Sequence, residues 1–251
     1  MMRWLLPLLL LALPLHAEEV VLGLSSDEVS ITTNFDGSEI LIFGAVKRES
    51  AISDDPLQVI VTVAGPSAPV MVRRKDRRFG IWVNTDAVEV DAAPSFYAVA
   101  TSAPWKQVLT DTEDLRHKVS IPRAIRSVGA PDTVLDSEAF TDAVIRIRES
   151  EQSYQLNLGA VKLSEQTLFS TSLTMPANLT EGAYPTRIFL TRGGEVVSVH
   201  ETEIDVRKVG LERWLFNLSR QQPLIYGLMS IAIAIASGWG ASAAFRAIRS
   251  N

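Results

Sequence analysis

Histidine is the side chain that most often marks acid–base or metal chemistry, and this sequence of 251 residues holds three. His16 lies in an N-terminal leader, which leaves His117 and His200. A Ser/His/Asp hydrolase would use one of them, yet no Gly-x-Ser-x-Gly motif presents a serine. No H-x-x-x-H spacing suits a metal. The sequence predicts no catalytic residue, metal site or cofactor, and a solvated histidine on a loop or strand edge is the favoured interpretation.

A dense basic run lies between two apolar segments of the chain. It consists of Arg73, Arg74, Lys75, Arg77 and Arg78 around one aspartate, and this pattern predicts the tip of a hairpin. Five cations at one tip repel one another unless water or anions screen them. The run is therefore either an ordinary solvated turn or a contact for anionic lipid head groups or an acidic partner face.

Four aromatic residues form the next candidate site. Trp82, Phe96, Tyr97 and Trp105 could together stack on a carbohydrate, whereas such residues more often fill a core. Trp82 and Phe96 stand in segments with apolar neighbours. The sequence therefore places these two side chains in a core, and a ligand-binding platform is the alternative.

Composition limits the compartment and the partners. All 29 acidic residues and 21 of the 24 basic residues lie between the leader and a C-terminal apolar segment, which gives this part a net charge of −8. Such a balance argues against nucleic acid. The chain has no cysteine, which excludes thiol redox chemistry, a lipobox and cysteine metal ligands. A bacterial periplasm suits this composition best.

The N-terminal end has the organisation of a secretory signal. Arg3 precedes a short apolar run, and a small residue, Ala17, precedes the acidic pair Glu18 and Glu19. We expect a signal peptide at 1–17 and a mature chain beginning at Glu18. An uncleaved N-terminal anchor is the alternative, since Leu15 stands where alanine is preferred.

The C-terminal end predicts a transmembrane helix. Residues 224–245 carry no charge, and 22 residues at about 1.5 Å each span the roughly 30 Å hydrocarbon core. A juxtamembrane segment at 210–223 precedes this helix, and a basic tail at 246–251 follows it. We expect a single-pass protein of the inner membrane with its tail in the cytoplasm, in agreement with the positive-inside rule.

Short strands dominate the exported domain, which we place at 18–209. Alternating or apolar runs between turn residues predict an antiparallel, immunoglobulin-like sandwich. These runs lie at 20–24, 28–32, 39–46, 57–64, 70–73, 79–84, 96–101, 156–161, 167–173, 184–191 and 195–206. Gly193 and Gly194 predict a two-residue hairpin turn, because glycine adopts positive φ without steric cost.

A mostly helical insertion interrupts the strands at 105–152. Phe140, Val144 and Ile147 recur at helical spacing after Asp136, which can cap a helix. Residues 111–118 form a second candidate helix. The predicted fold class is therefore mainly β, an immunoglobulin-like sandwich with a helical insertion, followed by one transmembrane helix.

Several segments together resemble a known family. They are Gly80 to Asn84, Pro94 to Tyr97, Glu181 to Tyr184, Tyr226-Gly227 and Gly238-Trp239-Gly240. Their combination resembles the alphaproteobacterial transmembrane protein family, over nearly the whole mature chain. The resemblance implies an inner-membrane location and no known catalytic residue, and it suggests a transporter partner of the sulfite or organosulfonate exporter type. Tyr184 separately resembles the tyrosine of immunoglobulin-like domains that bonds back to upstream backbone.

These observations favour a non-enzymatic, membrane-anchored accessory or assembly module for another envelope protein. The alternatives are a periplasmic hydrolase and a ligand-binding domain. Expected partners are the lipid bilayer and another integral membrane protein or a second copy. In the last helix small residues recur every fourth position and predict a packing face: Ala232, Ala236, Gly240 and Ala244.

Overall fold

A computed structural model describes residues 18–32, 35–48, 55–128, 134, 136–208 and 211–249. The predicted signal peptide at 1–17 and the last two residues of the predicted tail lie outside this part of the chain. The described chain is mainly β. Its strands are β1 (Glu18–Leu24), β2 (Glu28–Ile31), β3 (Ser38–Arg48), β4 (Leu57–Ala64), β5 (Ser67–Arg78), β6 (Ile81–Pro94), β7 (Tyr97–Thr101), β8 (Tyr154–Asn157), β9 (Lys162–Ser164), β10 (Leu168–Met175), β11 (Gly182–Arg192) and β12 (Glu195–Lys208).

The strands form two sheets and a separate hairpin. Sheet A has the order β1-β3-β10-β9, sheet B has the order β2-β12-β11-β4-β7-β8, and β5 pairs only with β6. The prediction of wholly antiparallel pairing is wrong at two places, since β2–β12 and β7–β8 are parallel. Parallel neighbours need a long crossover connection, and the helical segment between β7 and β8 provides one of them.

Residues of sheets A and B share the main hydrophobic core. Inward residues of both sheets are almost completely buried, for example Ile42 on β3, Phe169 on β10 and Ile188 on β11. The predicted period of two is clear on β4, where Val59 and Val61 point into this core. Burial of these side chains from both sheets is the main favourable term that holds the sheets together.

A second core lies on the other face of sheet B. Here Ile60, Val99 and Phe189 of the sheet meet Val119 and Val144 of the helical segment. Strand β4 is consequently buried on both faces, which explains its nearly continuous apolar sequence. The helices of this layer are α1 (Trp105–Val108), α2 (Asp111–His117), α3 (Ile121–Ala124) and α4 (Ser137–Ser150).

The turns between strands differ from the predictions in places. The hairpin turn at Gly193 and Gly194 is present, and both residues have positive φ, 56° and 82°. The strand predicted at 156–161 instead ends at Asn157, and the short strand β9 follows it. Strands β5 and β6 are far longer than the predicted runs at 70–73 and 79–84.

Two helices end the chain. The predicted juxtamembrane segment contains α5 (Leu211–Gln221), and the predicted transmembrane segment lies within α6 (Pro223–Arg249). Residues 223–242 of α6 are long and apolar enough to cross a bilayer, and none of the most apolar 18-residue window is buried. Strand β12 is therefore the last strand before α5 and the candidate membrane span.

Candidate functional site

Asp114 organises the end of α2. Its carboxylate accepts hydrogen bonds from the backbone N–H groups of Val119 (3.1 Å) and Ser120 (2.7 Å), and from the Ser120 hydroxyl (2.7 Å). The intervening Lys118 is left-handed, with φ of 53°, and its N–H bonds the Asp114 carbonyl. The buried carboxylate thus holds the turn that leads from α2 into α3.

Arg187 of β11 completes this turn from the sheet. Its guanidinium donates to the carbonyl oxygens of His117 (2.8 Å) and Lys118 (3.2 Å), which are left free where α2 ends. The Tyr97 hydroxyl donates to the Val119 carbonyl at 2.8 Å. Burial raises the pKa of Tyr97 above its usual value, although the nearby Arg187 cation partly opposes this effect. These contacts are structural, since they dock α2 on sheet B.

His117 has a carboxylate neighbour one helical turn earlier. Its Nε2 lies 3.4 Å from Glu113 Oε2, and its ring packs edge-on against Phe189 with centroids 5.7 Å apart. Glu113 also pairs with Arg116 and accepts from the Val196 N–H at 3.4 Å. A carboxylate–imidazole pair of this kind can act as a base. Arg116 and His117 lie on α2 with Glu113, whereas the Val196 N–H ties the carboxylate to β12.

His200 lies in a different environment. It lines an open cavity of about 420 Å³ between β12 and the β1–β2 connection. The remaining lining residues are Leu22, Leu24, Ser25, Ser26, Asp27 and Thr202. His200 pairs directly with Ile188 and so lies on the side of sheet B that faces sheet A, whereas the His117 ring contacts Phe189 on the opposite side. The two histidines therefore cannot form one site, and the described residues contain no metal-ligand cluster.

The predicted hairpin is present, and the basic run forms the end of its first strand next to the turn. Strand β5 continues to Arg78, and the turn is formed by Phe79 and Gly80, with φ of 51° and 86°. Arg74 does not belong to the exposed cationic surface that the sequence predicted. Its guanidinium bonds Asp136 at 2.6 Å and lies 4.6 Å from the centre of the Phe140 ring. The exposed cations of the run are Arg73, Lys75, Arg77 and Arg78.

The four aromatic residues do not share one surface. Phe96 and Tyr97 are buried on the two faces of sheet B. The prediction of a core position is confirmed for Phe96 and is wrong for Trp82, whose exposed fraction is 68%. Trp82 lies near the hairpin turn, where no other layer of the described residues covers it. Sequence reasoning missed Phe79 and Ile81 as exposed residues, although Phe-Gly after a charged strand is a signal for a turn.

The predicted packing face lies on α6. Ala232, Ala236 and Gly240 are exposed on this helix, to which Ala244 also belongs. A Cβ added at Gly240 would meet no atom within 4 Å. The larger residues Ile231 and Ile235 are equally exposed. Among the described residues, then, this part of the helix has both its small and its large side chains free for other contacts.

A mainly β domain followed by one exposed apolar helix defines a membrane protein with one candidate span. The chain belongs to the alphaproteobacterial family described as "Putative transmembrane protein (Alph_Pro_TM)", whose model matches residues 19–247. This match confirms the resemblance noted from the sequence. No curated protein matches the chain.

Proposed function

We propose that this protein is a membrane-anchored accessory or assembly module of the bacterial envelope. Its β-rich domain lies in the periplasm, its single helix crosses the inner membrane, and its C-terminus lies in the cytoplasm. Its partner is another integral membrane protein, for which a transporter of the sulfite or organosulfonate exporter type is one candidate. The sequence at 1–17, the absence of cysteine and the basic tail support this location.

An immunoglobulin-like frame fits this role. The Tyr184 hydroxyl donates to the carbonyl of Thr180 at 2.8 Å, four residues upstream, as a tyrosine corner does. Its ring is fully buried and lies 6.1 Å from the ring of Phe96. Domains of this class serve many unrelated functions, mostly through their surfaces, so the frame supports a binding role without specifying a partner.

The observation that carries the proposal is the exposure of α6. A membrane helix gains little from burying apolar side chains, because lipid already surrounds them. Small residues, in contrast, allow another helix backbone to approach closely and gain van der Waals contact. Ala232, Ala236 and Gly240 offer such a surface, and no other described residue of the chain covers it.

Replacing Ala236 and Gly240 together with leucine should weaken co-purification of the membrane partner, or self-association, by about 5- to 30-fold, the equivalent of 1–2 kcal/mol. Leucine at residue 240 meets open space in this chain, so the effect must arise in a partner. Quantitative mass spectrometry after detergent pulldown measures the change. The matched control, Ile231→Ala with Ile235→Ala, should leave co-purification intact. If both pairs of substitutions changed co-purification equally, α6 would serve only as a membrane anchor.

The Glu113–His117 pair and the His200 cavity favour an enzyme or a ligand-binding domain as the second candidate. For an accessory module, the double variant His117→Gln/His200→Gln should retain partner co-purification and the cellular phenotype. Near-UV circular dichroism checks that the variant is folded. Loss of the phenotype in a folded variant that still binds its partner would favour chemistry at one histidine. The two single variants then identify which one.

A further inference from the structure

The tip of the β5–β6 hairpin combines an unusual turn with exposed apolar residues. Phe79 and Gly80 both have positive φ, as a two-residue turn between twisted strands requires. Glycine and asparagine suit such positions, whereas a bulky residue there is an outlier. Phe79 nevertheless occupies the first position and is fully exposed, and Ile81 and Trp82 beside it are exposed as well. A large apolar side chain is thus presented to the surroundings at a conformational cost.

Cations surround these apolar residues. Trp82 pairs directly with Arg77, and Ile81 pairs directly with Arg78, so each apolar residue shares a face with an arginine. Asp76 accepts from the Arg77 N–H at 2.7 Å and from Arg78 Nε at 3.3 Å. One carboxylate among the exposed cations of the tip leaves the tip positive, on a domain (residues 18–209) whose 19 basic and 28 acidic residues give a net charge of −9.

A register shift separates this tip from the rest of the hairpin. It lies between Arg74 and Lys75. Up to this point β5 packs against α4, with Arg74 bonded to Asp136. Beyond it the residues of β5 are exposed on both faces. Bulges of this kind bend and twist a hairpin end, so the tip is a projecting element and not part of a packed layer.

The base of the hairpin lies at the end of sheet B that leads to the membrane. Pro66, just before β5, packs against Gly182. A Cβ added at Gly182 would lie 2.7 Å from the proline ring. Gly182 pairs with Val206, near the end of β12. A hairpin arm of 12 residues reaches about 40 Å, and α5 and α6 follow β12 within a few residues. The hairpin is therefore attached to the domain at the end of sheet B from which the chain continues to the candidate membrane span.

We propose that this hairpin tip docks on anionic phospholipid head groups of the membrane that α6 crosses. Phe79, Ile81 and Trp82 enter the interface, and Lys75, Arg77 and Arg78 meet the lipid phosphates. Aromatic residues with arginines beside them are typical of membrane–water interfaces. The negative charge elsewhere on the domain keeps other surfaces away from anionic lipid, so the tip sets the domain's orientation. This inference requires the membrane span alone and does not depend on the accessory role.

The absence of cysteine permits a direct test. Asn84→Cys, on the same face as Trp82, is labelled with a fluorophore in the full chain, which is reconstituted into nanodiscs with or without phosphatidylglycerol. Head-group nitroxide lipids should quench this label in anionic discs and not in zwitterionic discs. A label at Glu195→Cys, at the opposite end of β12, should remain unquenched.

Two double variants of equal charge test whether the cations of the tip, and not the net charge of the domain, cause docking. Arg77→Ser with Arg78→Ser should lower the docking equilibrium constant about 30-fold, at roughly fivefold for each cation near an anionic surface. Lys106→Ser with Arg123→Ser removes the same charge from exposed helical positions and should have no effect. Phe79→Ser should also abolish quenching, in a folded protein.

Absence of quenching at residue 84, or equal quenching in zwitterionic discs, would overturn the proposal. So would loss of partner co-purification in Phe79→Ser if the label at residue 84 is already unquenched in the protein that retains Phe79, because the tip would then bind a protein. Failure of the α6 variants to affect co-purification would leave the lipid result unchanged, which distinguishes the two proposals.

Discussion

Replacing Phe189 with alanine should lower the free energy of unfolding by about 3–5 kcal/mol, the range for deleting a buried phenylalanine. Phe189 is completely buried in the core between sheet B and the helices. Its ring contacts the His117 ring, and the Arg187 guanidinium lies 5.1 Å from its centre. Removing it leaves a cavity under α2 that neighbouring strands cannot close. Urea unfolding in detergent, followed by near-UV circular dichroism, measures the change.

A matched control for this variant is Phe79→Ala, which deletes the same atoms from a fully exposed side chain. It should change stability by less than about 0.5 kcal/mol, as exposed substitutions usually do. If Phe189→Ala changed the free energy of unfolding as little as this control does, the helical layer would contribute little to the cooperative fold. Substitution of Phe189 by leucine should recover part of the loss by filling some of the space.

Replacing Asp114 with alanine should lower the free energy of unfolding by about 3 kcal/mol. The change leaves the N–H groups of Val119 and Ser120 without their acceptor, and each unsatisfied buried group costs about 1–3 kcal/mol. Asp114→Asn should cost less, because its amide oxygen can still accept. Hydrogen exchange should localise the loss to the α2–α3 turn.

Asp111→Ala provides the comparison on the same helix. Asp111 is an exposed acidic residue in the first turn of α2, where its interaction with the helix dipole is worth about 0.3–1 kcal/mol. Its removal should leave exchange in the α2–α3 turn unchanged. If Asp111→Ala and Asp114→Ala unfolded at the same urea concentration, the carboxylate of Asp114 would not hold this turn.

Strands with a buried face could be predicted from the sequence. Val59, Val61 and Val63 alternate on β4 because one face of a pleated strand packs against sheet A. The turn at Gly193 and Gly194 was equally predictable, since its residue types suit positive φ. The terminal apolar helix follows from length and composition alone.

The hairpin of β5 and β6 was predicted, but its length and the contacts of its side chains could not be. A cluster of cations suggests a solvated tip, but Arg74 is held inside a strand by Asp136 and Phe140. Those partners lie about 60 residues away in sequence, and no local pattern identifies them. Apolar neighbours favour a core position for Trp82, whereas beyond the register shift none of the layers that the structure describes covers this side chain.

The turn after α2 shows the same limit. Arg187 is a single charged residue in the middle of a strand. The alternation of buried and exposed residues along that strand does not indicate which groups it contacts. It reaches the carbonyl groups of His117 and Lys118 only because the helical layer folds back over sheet B. Likewise, the parallel pairing of β7 with β8 depends on where a connection of more than 50 residues returns.

The connection between β12 and the membrane span has a mechanical consequence. Strand β12 pairs with β11 along nearly its whole length, from Gly182–Val206 to Arg192–Glu195. The hydrogen bonds of an antiparallel pair lie perpendicular to the strands. Tension applied along β12 by the anchor therefore loads these bonds together, in shear, instead of opening them one after another. The pairing of β12 with β11 therefore resists a pull along the strand, so a force from the candidate span is transmitted to sheet B without peeling off this strand.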